Sequence, residues 1–281
     1  MLSYQHGFHA GGFADVHKHT ALALLLGHLL AKPAPFCVID SHAGRGVYDL
    51  AGAQAEKTGE WRDGIGRLLD GATDAPAASE GLRAYLDLVR GFNRAGGLAT
   101  YPGSPALALK MLRRTDRLVL VEAHPAEHAA LRRALHHDRR VHIHKRDAFE
   151  ALPGLVPPAE RRGLVLIDPS YEVKSEYTKL PETVAALLQR WPTGIVAIWY
   201  PILPDGRHAP LLVGLDALPR PVLQAELIGP APERGLTGTG LAVINPPWRF
   251  AEALAEAGAE IATRLFGDAG RHTQHMGGVA A

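Results

Sequence analysis

Gly163-Leu164-Val165-Leu166-Ile167-Asp168-Pro169-Ser170-Tyr171 is the stretch that decides the fold. Leu164 to Ile167 are consecutively apolar, which reads as a strand buried on both faces, as in a parallel sheet covered by helices. An acid followed by a proline ends it, because proline has no amide hydrogen to give the ladder. In an open α/β sheet, ligands sit beyond the carboxyl ends of the strands. A carboxylate, a fixed carbonyl and an aromatic ring (Asp168, Pro169 and Tyr171) are therefore expected at a ligand edge. A plain strand-to-loop exit would carry the same letters, so the rest of the chain must decide.

Composition sets the limits. With 281 residues, 47% of them hydrophobic, the chain has room for one large α/β domain or for a domain with a sizeable insert. A formal charge of +1 gives no global field to attract nucleic acid, so any basic surface must be local. The single cysteine, Cys37, lies in an apolar run and cannot form an internal disulfide, which fits a reducing compartment and a cytoplasmic location. The apolar run over 21–30 imitates a signal peptide, but it follows Asp15, contains His28 and is too short to span a bilayer. A buried helix ending near Ala31, ahead of Pro33 and Pro35, is expected instead, with no membrane association.

Upstream, residues 1–20 hold four histidines, three glycines, Tyr4, Phe8, Phe13, Asp15 and Lys18, a mixture that suits a loop over a site. The first strand is expected over 36–40, followed by Ser41-His42-Ala43-Gly44-Arg45-Gly46. Strand, acid, then Gly-x-Gly lets a nucleotide-like ligand approach the backbone, although Asp49 stands where a dinucleotide fingerprint needs its third glycine. Helical spacing then replaces the strand signal, giving a helical insert over 50–100 within a domain formed by 1–49 and 101–281. Gly71 to Ser79 reads as its least ordered part. Tyr101-Pro102-Gly103-Ser104-Pro105 closes the insert and opens a helix.

Strand two, over 117–122, ends at Glu122, where such folds hydrogen-bond ribose hydroxyls. Strand three covers 141–145 and leads to Asp147-Ala148; strand four is the opening stretch. A helix from Pro181, strands over 195–200, 222–227 and 241–245, and a helix over 250–266 complete a seven-stranded Rossmann-like α/β sheet. Residues 267–281 lack an apolar period and read as a loose tail. Hydride transfer and methyl transfer both remain open at this point.

Further blocks carry a resemblance. Leu2-Ser3-Tyr4-Gln5-His6-Gly7-Phe8-His9-Ala10-Gly11 and Ala14-Asp15-Val16-His17-Lys18-His19-Thr20 resemble the signature of the RlmJ family, bacterial S-adenosyl-L-methionine-dependent N6-adenine methyltransferases acting on 23S ribosomal RNA. The likeness runs on through Asp40 to Gly46, Tyr101 to Pro105, Glu122-Ala123-His124-Pro125, Arg161-Arg162-Gly163 and Asn245-Pro246-Pro247-Trp248. It implies a class I methyltransferase sheet with a helical insert, cofactor contacts from His19, His42, Gly44, Ser104, Glu122, Asp147 and Ala148, and Asp168 as the catalytic acid. Tyr4, His6 and Lys18 would lie near the RNA, with no metal and a monomeric chain. The family's Asp-Pro-Pro-Tyr is Asp168-Pro169-Ser170-Tyr171 here, an Asn-His pair is Gly12-Phe13, and a glycine is replaced by Ala148.

The chemistry fits those residue types. The exocyclic amine of adenine is a weak nucleophile because its lone pair is delocalised into the ring. A carboxylate and a carbonyl, each accepting one N–H, would localise that pair; Asp168 and Pro169 can supply them, and Tyr171 would stack on the base. The target base must leave its stack to reach such a pocket.

Competing motifs need weighing. Asn245-Pro246-Pro247-Trp248 matches the adenine-methyltransferase consensus more closely by letter, but a seventh strand running antiparallel would aim it away from the cofactor edge. His124-Pro125-Ala126-Glu127-His128 matches an inverted zinc-protease pattern, yet Pro125 places the first histidine at a helix start, so a capped helix is expected. Arg132, Arg133, Arg139, Arg140, Lys145, Arg146, Arg161 and Arg162 could together track an RNA backbone, or be solvated element ends. Three other functions stay in view: DNA adenine-N6 methylation, a non-catalytic RNA-binding relative, and a nicotinamide-dependent oxidoreductase that the missing third glycine disfavours.

Overall fold

In the computed structural model, residues 5–70, 78–94, 96–230 and 235–278 are described; Tyr4 and most of the Gly71–Ser79 stretch lie outside them. The chain runs α1 (Phe13–Leu30), β1 (Cys37–Asp40), β2 (Val47–Asp49), α2 (Ala53–Thr58), α3 (Arg67–Asp70), α4 (Glu80–Phe92), β3 (Thr100–Pro102), α5 (Ser104–Met111), β4 (Arg117–Val121) and α6 (Pro125–Leu135). It continues through β5 (Val141–His144), α7 (Ala148–Leu155), β6 (Gly163–Ile167), α8 (Glu176–Arg190), β7 (Ile195–Ile202), α9 (Ala209–Asp216), β8 (Val222–Ile228), β9 (Gly238–Ile244), α10 (Phe250–Phe266) and β10 (Arg271–Gly277).

Among the described residues the main sheet has eight strands, ordered β10-β8-β9-β7-β6-β1-β4-β5. The pairs β5–β4, β4–β1, β1–β6 and β6–β7 are parallel, whereas β9 runs antiparallel to both β7 and β8. Seven strands follow the expectation. The eighth corrects it: the supposed loose tail forms β10, paired antiparallel with β8 from Arg271↔Ile228 to Gly277↔Val222. Its polar residues alternate in exposure along an edge, so the apolar period that marks a core strand is missing.

The central strands are buried on both faces with a period of two. Val38, Leu118, Leu120, Leu164 and Leu166 face the core formed with α1, α4, α5, α6 and α10. Ile39, Val119, Val165 and Ile167 face the other core, with residues of α7, α8 and α9. Gly163 opens β6 at φ +156°, where an added Cβ would lie 1.9 Å from the Cys37 carbonyl oxygen. Only glycine lets the two strands approach this closely.

Two further expectations change. Residues 13–20 are the first turns of α1, not loop, and Asp15, His17, Lys18, His19 and Thr20 are all buried. The stretch looked polar because its charges face one another inside the protein rather than water. The 50–100 segment holds α2, α3 and α4, and a two-stranded ribbon, β2 with β3, closes its root. Leu82, Tyr85, Leu86 and Val89 of α4 belong to the same core as α1 and α10, so this segment shares the main core.

Candidate active site

The carboxyl ends of β1, β4 and β6, and the loop after β5, open onto one cleft. It encloses about 980 Å³ of empty space, its open mouth included, within the range of small-molecule sites. His6, Lys18, His19, His42, Gly44, Ser104, Glu122, Asp147, Ala148, Asp168 and Pro169 all line it. Residues far apart in the chain are thus brought together, as when the Lys18 Nζ donates to Asp168 Oδ2 at 2.5 Å across 150 positions.

Each wall has a local cause. Asp168 stands one residue beyond β6 and is 14% exposed on its side chain. Glu122 stands one residue beyond β4; its oxygens accept the amides of Gly44 (2.8 Å) and His124 (2.7 Å), tying the glycine turn to the second acid. Gly44 adopts φ +57°, and a Cβ there would meet the Tyr48 hydroxyl at 2.5 Å. Burial raises the Glu122 carboxyl above its ordinary range. Asp147 caps α7 by accepting the Glu150 amide at 3.1 Å, which sets the Ala148 end of that helix toward the cleft.

Beneath the floor, Ser104 Oγ donates to Asp40 Oδ2 at 2.7 Å. Burial pushes the Asp40 carboxyl up to about 7, more strongly than that hydrogen bond pulls it down. His42 is pushed down to about 4 and His19 to about 3 by burial, so both are neutral at neutral pH. His19 Nδ1 is hydrogen-bonded to the Tyr101 hydroxyl at 2.7 Å, and that hydroxyl to Tyr85 at 3.0 Å.

Asp15 organises the other side. His6 Nε2 donates to its Oδ2 at 2.9 Å, as does the Gly11 amide at 2.9 Å, while Lys18 Nζ lies 2.9 Å from Oδ1. Lys18, 4% exposed, therefore bridges two carboxylates, Asp15 and Asp168. Burial opposes its charge, but the two carboxylates outweigh burial and hold the ammonium above its usual range. Burial likewise opposes the Asp15 carboxylate, and His6, Lys18 and His19 outweigh it and hold it well below its usual range. Neither Asp15 nor Asp40 is a site residue by sequence: an acid inside a helix start has no distinctive spacing, and Asp40 enters only as the strand-ending acid ahead of the glycine turn.

One expected residue is not brought to the cleft. Tyr171, at φ +55°, folds back beneath the loop, stacks on Tyr177 with centroids 4.4 Å apart, and donates its hydroxyl to the Trp199 carbonyl at 2.6 Å. It is 5% exposed, so it offers no open face to a base. Phe149, two residues past the Asp147 cap, and Tyr48 are the phenyl-type rings that do line the cleft among the described residues. The sequence signal for Phe149 was its place in Asp147-Ala148-Phe149.

The competing motifs resolve on geometry. Because β9 is antiparallel, Asn245 lies at the opposite sheet edge, where its Nδ2 donates to the carbonyls of Pro192 and Gly194. Trp248 is 82% exposed there. His124 is the N-cap of α6, and the Glu127 carboxylate is taken by Arg45 at 2.5 and 2.9 Å, which accounts for two of the three residues of that pattern. The eight-residue basic run is not one surface. Arg140 pairs with Asp138 and Arg162 donates to the Leu29 and Ala34 carbonyls, at the amino ends of the strands, while Arg146 lines the cleft.

Comparison with known proteins fits this geometry. The family described as "Ribosomal RNA large subunit methyltransferase D, RlmJ" matches residues 33–276. The chain belongs to the RlmJ family. It is 42% identical over 257 residues to "Ribosomal RNA large subunit methyltransferase J" of Escherichia coli (strain K12), covering 90% of each chain. To the protein of the same name from Haemophilus influenzae it is 41% identical over 260 residues, covering 91% of each. A crystal structure of a Legionella pneumophila protein, 32% identical, superposes with a TM-score of 0.88 over 97% of this chain and 100% of that one. The RlmJ relationship makes this protein a methyltransferase on a Rossmann-like fold. Among its described residues, no helix is long and apolar enough to cross a membrane.

Proposed function

We propose that this RlmJ-family protein transfers a methyl group from S-adenosyl-L-methionine to N6 of an adenine in 23S ribosomal RNA, acting as a cytoplasmic monomer. The observation that carries the reading is that Asp168 and Pro169 face the same cleft as the Gly44 turn and Glu122. By the family resemblance, that pairing would join an amine-gripping edge to a nucleoside-binding edge.

The donor set suits the cofactor. Glu122 is the acid for the ribose hydroxyls, and the Gly44 turn allows close backbone approach. Asp147 and Ala148, with Phe149 beside them, form the wall for the base. Ser104, His19 and His42 surround the remaining polar end. When bound, the cofactor supplies an activated methyl group on a sulfonium.

The chain's own residues do the rest. Lys18 occupies Asp168 Oδ2, and among the described residues Oδ1 has no hydrogen-bond partner, so Oδ1 is the acceptor for one amine hydrogen. The Pro169 carbonyl accepts the other, and proline holds that carbonyl by fixing its own φ. Drawing both hydrogens out of the ring plane localises the nitrogen lone pair. Catalysis is then largely alignment and electrostatics. His6 and Lys18, which line the cleft, are taken as the substrate-side contacts, and the family resemblance adds Tyr4 to them. We take 1–49 with 101–281 as the catalytic unit and 50–100 as its insert.

The test is incubation of the protein with radiolabelled cofactor and protein-free 23S rRNA, followed by nucleoside digestion. Label in N6-methyladenosine is the expected result. Label in another nucleoside, transfer to duplex DNA in preference to rRNA, or no transfer would overturn the reading.

A further inference from the structure

Away from the cleft, the outer edge of the sheet carries an unassigned feature. β5 is the terminal strand, and a shallow groove between it and α6 is lined by Arg132, His136, Val141, His142, Ile143 and His144. None of these side chains is acidic. The groove does not stand alone: His144 leads directly into Lys145 and Arg146, and Arg146 lines the main cleft. One basic path therefore runs from the cleft mouth along the sheet edge.

We propose that this β5–α6 edge is a docking surface for RNA backbone phosphates flanking the target nucleotide; the proposal rests on the rRNA reading above. Among the described residues, Arg132, Arg133, Lys145 and Arg146 form no ion pair with any carboxylate, in contrast to Arg140, which Asp138 holds at 2.7 Å. His128 stands one turn before Arg132 on α6, and its imidazole is lowered by burial first and then by the charges of Lys145 and Arg132. With a formal charge of +1 on the whole chain, this local concentration is an asymmetry and not a share of a general excess.

Dimensions fit a strand of RNA. Four residues of β5 span about 13 Å, the reach of roughly two or three consecutive backbone phosphates. Cations and imidazoles dominate the groove, and its two apolar members, Val141 and Ile143, are half-buried against the core, so a protein partner would find little apolar surface. Phosphates positioned here would fix the register of the RNA while the target base enters the cleft.

The experiment measures binding of an rRNA fragment containing the substrate adenine at several salt concentrations, together with cofactor affinity and melting temperature. Arg132→Ala combined with Lys145→Ala should weaken RNA binding about ten-fold and reduce the salt slope by about two, with cofactor affinity unchanged. Arg132→Lys should retain most of the binding, because a phosphate contact needs the charge. As a control for net charge, Arg220→Ala with Arg249→Ala at the other sheet edge should change RNA affinity less than two-fold. Equal RNA affinity and salt slope in wild type and the Arg132/Lys145 variant would overturn the surface. An equal loss in the control pair would overturn it too, by assigning the effect to total charge. A wild-type protein that binds and methylates no rRNA would instead remove the reading on which the surface depends.

Discussion

Asp15 is the residue that ties the substrate side together, and it makes no direct claim on a reacting atom. It holds His6, the Gly11 amide and Lys18, and through Lys18 it positions Asp168. Asp15→Asn would leave a buried ammonium with one carboxylate instead of two. A loss of about 3 kcal/mol in stability is expected by urea denaturation. Single-turnover methyl transfer should fall at least ten-fold while cofactor affinity holds within about three-fold. Full transfer in that variant would show that Lys18 needs no help in orienting Asp168. At this scale the sequence was legible where a side chain terminates a strand, as with Asp168 and Glu122. It was not legible for Tyr171, whose backbone turns to φ +55° after Ser170 and takes the ring inward. No pattern of neighbouring letters announces that turn.

Among the elements, β6 was readable because both its faces are apolar, and β1 and β4 for the same reason. β10 was not, since an exposed edge strand needs no apolar period. The start of α1 was hidden differently: Lys18 and His19 find partners distant in sequence, Asp168 and Tyr101. One close element contact is a backbone one, Gly163 against Cys37. Gly163→Ala would drive a Cβ into a carbonyl oxygen 1.9 Å away, which cannot rotate aside as a side-chain tip could. The β1–β6 pair would have to separate, at a cost of about 3 kcal/mol or more. A denaturation midpoint equal to wild type would mean that the strands slide without penalty and that the register of the two catalytic strands is loosely set.

Viewed whole, the protein buries several histidines that must stay neutral to fold. Burial holds His17 and His19 down to about 3, and His42 and His272 down to about 4, below the ordinary imidazole value of 6.5. The unfolded chain binds these protons first, so the stability they contribute is present above about pH 6.5 and is lost as pH falls toward 4. Asp40 acts in the opposite sense: its folded value near 7 makes the native state bind a proton that the unfolded chain releases until about pH 4. The histidines outnumber it, giving a net loss of roughly 4 kcal/mol per pH unit near pH 5. Melting temperature should therefore drop steeply between pH 6 and 4.5, and a flat profile there would contradict this charge pattern. The central claim, that the acid at the tip of β6 grips the amine to be methylated, is tested most directly by Asp168→Ala. Methyl transfer to rRNA should fall at least a thousand-fold while cofactor binding, measured by calorimetry on the same preparation, stays within about three-fold. Transfer within ten-fold of wild type would contradict the account.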